Sequence, residues 1–70
     1  MEIDYDADAD ALYITLKEGA FARNKKVDDL TILDFDEHGE LLGIELLEAS
    51  KRIPTQSLSH VDVKNLPTGC

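Results

Sequence analysis

The sequence predicts an α+β or mainly β fold: an antiparallel meander of four to five strands with a short C-terminal helical segment. Three observations indicate this class. Apolar residues recur with period 2 through most of the chain, turn sequences containing glycine separate the apolar runs, and the alternation stops after Leu47. Because 70 residues are too few for a second core, we expect one domain over residues 1–54 and a partly ordered tail over residues 55–70.

The first two predicted strands precede residue 18. Ile3 and Tyr5 alternate with acidic residues, which is typical of a short strand. The second strand covers residues 11–17, where β-branched and aromatic residues favour extended backbone. Three of its apolar residues share one face, namely Leu12, Ile14 and Leu16. Glu18-Gly19 then predicts a tight hairpin turn, because glycine accepts the positive φ that such turns require.

The third predicted strand, Phe21–Val27, is basic. Its Arg23, Lys25 and Lys26 are typical of an edge strand, where charge discourages the addition of further strands. Two aspartates then interrupt the pattern, and the alternation resumes in a fourth strand over residues 30–36.

The clearest turn in the sequence lies at residues 36–39. An Asp that opens it and a Gly that closes it match a type I turn followed by a left-handed glycine. Residues 40–47 complete this hairpin and are apolar on both sides, which favours a strand covered on both faces. The face that contains Leu12 is predicted to include Leu42, Ile44 and Leu46, extended by Leu33 and Phe35 or by Leu30 and Ile32 according to register.

The period changes beyond the last strand. Residues 48–52 have helical propensity, and Pro54 ends any helix at about Arg52 or Ile53. Two alternatives remain open for the tail: a helical stripe or a short strand. The stripe would contain Leu58, Val61 and Leu66, and the strand Val61-Asp62-Val63.

Composition and charge exclude several classes of function. Seven basic and 15 acidic residues give a net charge of −8, which disfavours binding to nucleic acid or to an anionic membrane surface. No apolar run approaches the roughly 20 residues of a membrane span. The first residues lack the pattern of a signal peptide, and the single cysteine, Cys70, has no internal disulfide partner. We therefore expect a cytoplasmic protein.

The acidic residues provide the candidates for chemistry. Four aspartates alternate over residues 4–10, but the glycine and glutamate that an EF-hand loop requires are missing in both possible frames. The two histidines have no further ligand at zinc-site spacing, and no nucleophile with an orienting base is present. We therefore predict no catalytic, cofactor or metal residues. The weak candidates for a metal site or for acid–base chemistry are the carboxylates of Asp10, Asp34, Asp36 and Glu45.

Four blocks of the sequence carry a family resemblance. They are Tyr5-Asp6, Ala9-Asp10-Ala11-Leu12-Tyr13-Ile14, Asp36-Glu37-His38-Gly39 and Gly43-Ile44-Glu45-Leu46-Leu47-Glu48-Ala49-Ser50. Over about residues 3–50 the chain resembles a small prokaryotic family, domain of unknown function 2283. The resemblance implies a small α+β or mostly β unit with no established activity and no catalytic residues. Some members look like neighbours of toxin-like proteins, so an antitoxin-like role is among its implications.

The same blocks have architectural interpretations. Asp10 is expected to accept backbone N–H bonds in a turn, and Ser50 to cap another turn. Tyr5 and Tyr13 are expected to pair across the first two strands. Gly43 within a strand indicates a bulge or the close approach of a backbone or ring.

A single-layer sheet must be covered, so we expect a homodimer that packs sheet on sheet. The functional prediction is a non-enzymatic, homodimeric interaction module, antitoxin-like in that its acidic surface meets a basic protein partner. The alternative is a divalent-cation or small-molecule binding protein, or weak hydrolase. That alternative uses the carboxylates of Asp10, Asp34, Asp36 and Glu45 at a dimer interface.

Overall fold

A computed structural model describes residues 1–67 as one five-stranded sheet with two short helices. The strands are β1 (Glu2–Asp6), β2 (Ala11–Thr15), β3 (Phe21–Asp28), β4 (Thr31–Asp36) and β5 (Leu41–Leu47), and the helices are α1 (Ala49–Arg52) and α2 (Thr55–Leu58). All neighbouring strands are antiparallel, in the order β1-β2-β5-β4-β3. The predicted class is confirmed.

The strand order differs from that of the predicted meander. A meander would place β3 in the centre beside β2, whereas β2 pairs with β5 and β3 forms the far edge. The physical reason lies in the two strands themselves. β5 is apolar on both sides and occupies the central position, while every residue of the basic β3 is exposed. The edge character predicted for β3 is therefore confirmed, and the neighbour assumed for it is wrong.

The segment between β2 and β3 is a crossover and not the predicted hairpin turn. The backbone N–H groups of Leu16 and Lys17 both donate to the carbonyl oxygen of Leu42, at 2.8 and 3.3 Å, which carries the chain past the start of β5. Lys17 also forms an ion pair with Glu40. Gly19 then passes so close to Leu42 that a Cβ on it would lie 2.8 Å from Leu42 Cδ2.

The turn between β4 and β5 forms as predicted. The Asp36 carboxylate accepts hydrogen bonds from the backbone N–H groups of His38 and Glu40, each at 2.9 Å. Gly39 donates its N–H to the Asp36 carbonyl at 3.1 Å and has φ 79°, the left-handed conformation that glycine adopts without strain.

The register gives the two faces of the sheet different chemistry, because paired residues point to the same side. The apolar face contains Ile3, Tyr5, Leu12, Ile14, Leu33, Phe35, Ile44 and Leu46 by pairing, and Leu42 by its alternation with Ile44 along β5. The acidic face contains six carboxylates and one lysine, namely Glu2, Asp4, Asp6, Asp34, Asp36, Glu45 and Lys26. Of the two open registers, the one with Leu33 on the apolar face is therefore the one that forms.

The core is small. Three hydrophobic residues in the described part of the chain are buried: Leu12, Leu42 and Ala49. The molecule is correspondingly flat, with extents of 34 × 33 × 18 Å. Most of the apolar face therefore remains half-buried or exposed.

The helical segment after β5 is confirmed, because α1 ends at Arg52 before Pro54. In the tail, α2 ends at Leu58 and residues 60–67 form neither helix nor strand, so neither open alternative forms: there is no strand at Val61–Val63 and no helical stripe that reaches Val61 and Leu66. Cys70 lies outside the described residues. Within residues 1–67, no helix has the length and apolar character needed to cross a membrane.

Candidate functional site

The first polar cluster joins the β1–β2 turn to the start of α1; we call Tyr5, Asp10, Ala49 and Ser50 the Asp10 junction. Asp10 Oδ1 accepts from the Tyr5 hydroxyl at 2.7 Å and from the Ser50 N–H at 3.0 Å, and Oδ2 accepts from the Ser50 hydroxyl at 2.7 Å. The Asp10 carbonyl oxygen accepts from the Ala49 N–H at 2.9 Å. One residue therefore ties together segments 40 positions apart.

The Asp10 junction supplies hydrogen-bond acceptors to backbone N–H groups at the start of α1. The first N–H groups of a helix have no partner within the helix, and Glu48, at the N-cap, makes no side-chain capping bond. The Asp10 carboxylate supplies the missing acceptor from the other end of the chain. The prediction that Asp10 accepts backbone N–H bonds is confirmed, while Ser50 is capped by Asp10 instead of acting as a cap.

Protonation of Asp10 should weaken this junction. Hydrogen bonds from Ser50 and then Tyr5 lower the pKa of Asp10 from its usual value of 3.8. Because the folded-state pKa lies below the unfolded one, the stabilisation is present above about pH 4 and is lost as the pH falls through the folded value. We expect Asp10→Asn to lower Tm at pH 7 and to flatten its decline in acid, measured by circular dichroism from pH 2 to 7.

Asp8→Asn provides the matched control, because Asp8 lies in the same turn and its carboxylate makes no hydrogen bond within residues 1–67. Its Tm should follow that of the wild type throughout. If the Asp10 and Asp8 variants gave the same acid profile, the junction would not be the source of the effect.

The second cluster lies on the acidic face; we call Tyr13, Asp34 and Gly43 the Tyr13 bridge. The Tyr13 hydroxyl on β2 donates to Asp34 Oδ2 on β4 at 2.7 Å, so the bond spans the intervening strand β5. Gly43 leaves room for it, because a Cβ there would lie 2.6 Å from Tyr13 Oη. The close approach predicted at Gly43 is confirmed, as is a register irregularity opposite the neighbouring residue Leu42.

Within the Tyr13 bridge, the pKa of the Tyr13 hydroxyl is raised. The hydrogen bond to Asp34, followed by burial and the nearby charges of Asp34 and Glu45, raises the pKa of Tyr13 to about 12. Tyr13 is therefore a neutral donor near pH 7, and the Asp34 carboxylate is occupied as its acceptor. This arrangement fixes three strands relative to one another and supplies neither a free base nor an activated nucleophile.

The four candidate carboxylates fall in three separate places. Asp10 serves its junction at one end of the sheet, Asp36 serves the β4–β5 turn at the other end, and Asp34 and Glu45 lie near Tyr13. Within residues 1–67, no three His, Cys, Asp or Glu side chains come together where they could hold a metal ion.

The predicted pairing of the two tyrosines is wrong. Tyr5 lies opposite Leu12 on the apolar face, whereas Tyr13 lies opposite Asp4 on the acidic face. The alternation of the sequence already indicated this result. Tyr13 is adjacent to Leu12 in β2, so it lies on the other face from Leu12 and from Tyr5, which is paired with Leu12.

Sequence reasoning also missed the role of Arg52. Its guanidinium donates to the Leu30 carbonyl oxygen at 2.6 Å and to Thr31 Oγ1 at 3.0 Å, which fastens α1 to the β3–β4 turn. These groups border a shallow cavity of about 300 Å³ lined by Asp28, Asp29, Leu30 and Arg52. The Asp28 carboxylate accepts from the Leu30 N–H at 2.9 Å, so much of the lining is already hydrogen-bonded to itself.

Residues 2–50 match a family described as "Protein of unknown function (DUF2283)". The chain belongs to this family. The DUF2283 region begins with β1 and ends at Ser50, so it contains all residues of the Asp10 junction and of the Tyr13 bridge. The match confirms the resemblance described above.

An archaeal protein is a further relative of this DUF2283 chain. "Uncharacterized protein MJ0789" of Methanocaldococcus jannaschii is 49% identical over 53 residues, which cover 73% of this chain and 43% of the relative. The chain thus matches less than half of that relative's length. No solved structure matches the chain. The comparisons therefore establish membership of the family and leave its activity undescribed.

Proposed function

We infer that the chain is a non-enzymatic interaction module that forms a homodimer through its apolar face and presents its acidic face to a basic protein partner. The observation that carries this proposal is the unequal chemistry of the two faces. One face has nine large apolar side chains, with charges only on its edge strand β3. The other has six carboxylates and one lysine among four large side chains, namely Tyr13, Phe21, Ile32 and Leu47. A sheet with such faces is suited to two different contacts.

The amount of exposed surface supports a second copy. The folded chain has 5372 Å² of accessible surface, whereas a compact monomer of 7.8 kDa exposes about 4,400 Å². The excess of about 1,000 Å², to which residues 60–67 contribute, exceeds the roughly 800 Å² that each partner buries in a standard interface. A second copy that buried a standard interface on the apolar face would therefore offset much of this excess.

The apolar face is uncovered in its middle as well as along its β1 edge. At one end of the sheet the buried Ala49 donates its N–H to the Asp10 carbonyl oxygen, and at the other end Gly19 lies against Leu42. Between them, Ile14, Ile44 and Leu33 are paired in a row across three strands and are only half-buried. Sheets pack face to face about 10 Å apart through such rows.

The dimer is tested by light scattering over a micromolar dilution series. We expect a mass of twice 7.8 kDa for the wild type and of 7.8 kDa for Leu33→Lys. Ile32→Lys is the matched control, because Ile32 is the adjacent half-buried residue on the opposite face and should leave the dimer intact. A folded wild-type protein that remains at 7.8 kDa throughout the series would contradict the proposal, whatever the variants do.

The basic partner is tested separately, with the protein encoded in the adjacent reading frame. The antitoxin-like role requires that protein to be basic and to co-purify with this chain in a complex that salt weakens. Asp4→Lys with Glu45→Lys should abolish the complex, because both residues lie on the acidic face. Glu18→Lys with Glu37→Lys makes the same change in net charge outside the strands and should have little effect. Equal losses in the two double variants would argue against recognition by this face.

A further inference from the structure

The apolar face has a basic rim along one edge. Arg23 and Lys25 lie opposite Phe35 and Leu33, so both point to this face from the edge strand β3. The Arg23 guanidinium stacks over the Phe35 ring, 5.4 Å from its centroid. Any partner that covers the apolar face must therefore meet two cations along that edge.

The opposite edge has the reverse charge. β1 contains three carboxylates and no basic residue over Glu2–Asp6, and all of its residues are exposed. The side chains that β1 contributes to the apolar face are Ile3 and Tyr5, which are 38% and 42% exposed. Long basic side chains can lay their methylene stems over such residues while their charges remain near the carboxylates of the same strand.

We propose that the two sheets of the homodimer pack with the two-fold axis parallel to the strands, so that the basic edge strand β3 of each copy lies over the acidic edge strand β1 of the other. The inference rests on the proposed function, because it assumes that the apolar faces meet. It adds which part of one copy recognises which part of the other.

The geometry of aligned sheets leaves two principal arrangements. A two-fold axis along the strands places β3 over the partner's β1, and an axis across the strands places β3 over the partner's β3. Both arrangements cover the same apolar residues, because β5 is the middle strand and lies over itself in either case. Burial therefore does not distinguish them, and the charges at the edges do.

Electrostatics favours the axis along the strands. The alternative would bring Arg23 and Lys25 of both copies together along one rim of an apolar interface, where the two Asp28 carboxylates on the same face, each already bonded to the Leu30 N–H, offset four cations only in part. Like charges in such a position oppose association. The proposed arrangement separates these cations and places them over an edge strand that carries three carboxylates and no cation. Those carboxylates face the other side of the sheet, so the long basic side chains approach them around the exposed edge, and the relief of like-charge repulsion is the larger effect.

The register identifies which residues should meet. Ile3, Ile14, Ile44, Leu33 and Lys25 are paired in succession across all five strands. A two-fold axis that lies between the sheets and parallel to β5 places this row over the same row of the other copy in reverse order. Ile3 of one copy then lies near Lys25 of the other, Ile14 near Leu33, and Ile44 near Ile44.

Cross-linking distinguishes the two arrangements. In a Cys70→Ser background, a thiol reagent that spans about 10 Å, the separation of packed sheets, is applied to Ile3→Cys, to Lys25→Cys and to the double variant. We expect a covalent dimer from the double variant and none from either single variant. A covalent dimer from Lys25→Cys alone would overturn the proposal, and so would the absence of cross-linking in a double variant that scatters light as a dimer.

Charge reversal at Lys25 provides a second test, because it should change the dimer Kd in opposite directions in the two arrangements. In the proposed arrangement Lys25→Glu should raise the dimer Kd by on the order of threefold, as expected for one exposed charge pair. In the alternative it would relieve repulsion and lower the Kd. Lys26→Glu is the control, because Lys26 is adjacent in β3 but lies on the acidic face. A wild-type protein that is monomeric in light scattering would refute the proposed function itself, whereas a dimer with the wrong cross-link would refute only the orientation.

Discussion

Leu12→Ala is expected to remove much of the stability of this protein. Leu12 is 2% exposed, and it is one of three buried hydrophobic residues within residues 1–67. Truncation of a buried leucine costs about 2–5 kcal/mol, because the lost burial is added to the cost of a cavity. A domain of 70 residues has about 4–10 kcal/mol in total, so the variant should unfold at much lower urea concentration.

The matched control for this prediction is Leu66→Ala. Leu66 is 67% exposed in the segment that forms neither helix nor strand, so the same truncation there removes little burial. Both variants should be measured at one fixed protomer concentration, since dimer formation would make the apparent stability depend on concentration. Equal urea midpoints for the two variants would show that Leu12 does not anchor the core.

The fold class and most strands were predictable from local patterns. The alternation around Leu12, the turn at Asp36–Gly39 and the helical segment before Pro54 all depend on residues close in sequence. The apolar character of both sides of β5 also indicated a covered strand, and β5 does lie in the centre of the sheet. Each of these features follows from interactions between residues close in sequence or, for β5, from the apolar character of the strand.

The strand order required a different kind of information. Glu18-Gly19 has the residues of a hairpin turn, but that turn would have placed the basic β3 in the centre of the sheet. The sheet instead has β5, none of whose residues is exposed, as its central strand and the fully exposed β3 at its edge, against the local turn preference. The two properties were separately visible in the sequence, and the conflict between them becomes apparent only when all strands are placed together.

The polar clusters depend on contacts that no short sequence window contains. Asp10 and Ser50 are 40 positions apart, and Tyr13 reaches Asp34 across a third strand. Both clusters nevertheless fall within residues 2–50, the part of the chain that matches the family. This supports an architectural interpretation of the residues that carry the resemblance. The Asp10 junction ties the β1–β2 turn to α1 at one end of the sheet, and the Tyr13 bridge fixes the register of β2, β5 and β4 in its middle.

Gly43→Ala is expected to destabilise the protein by about 1–3 kcal/mol, as is usual when extra atoms are forced into a packed site. The added Cβ would lie 2.6 Å from Tyr13 Oη and 2.9 Å from the Ile14 carbonyl oxygen. The first contact can be relieved by a movement of the ring that breaks the bond to Asp34. The second involves backbone of the neighbouring strand, which cannot move without disturbing the pairing of β2 with β5.

A double-mutant cycle with Tyr13→Val separates these two contributions. Without the ring, Gly43→Ala should cost less than in the wild type, because only the contact with the Ile14 carbonyl remains. Gly19→Ala is the control, since its close contacts are all with the Leu42 side chain and its cost should be the same with and without the tyrosine ring. Chemical denaturation of the four proteins of the cycle gives the coupling energy. If the cost of Gly43→Ala were the same with and without the tyrosine ring, the absence of a side chain at Gly43 would not be what allows Tyr13 to reach Asp34.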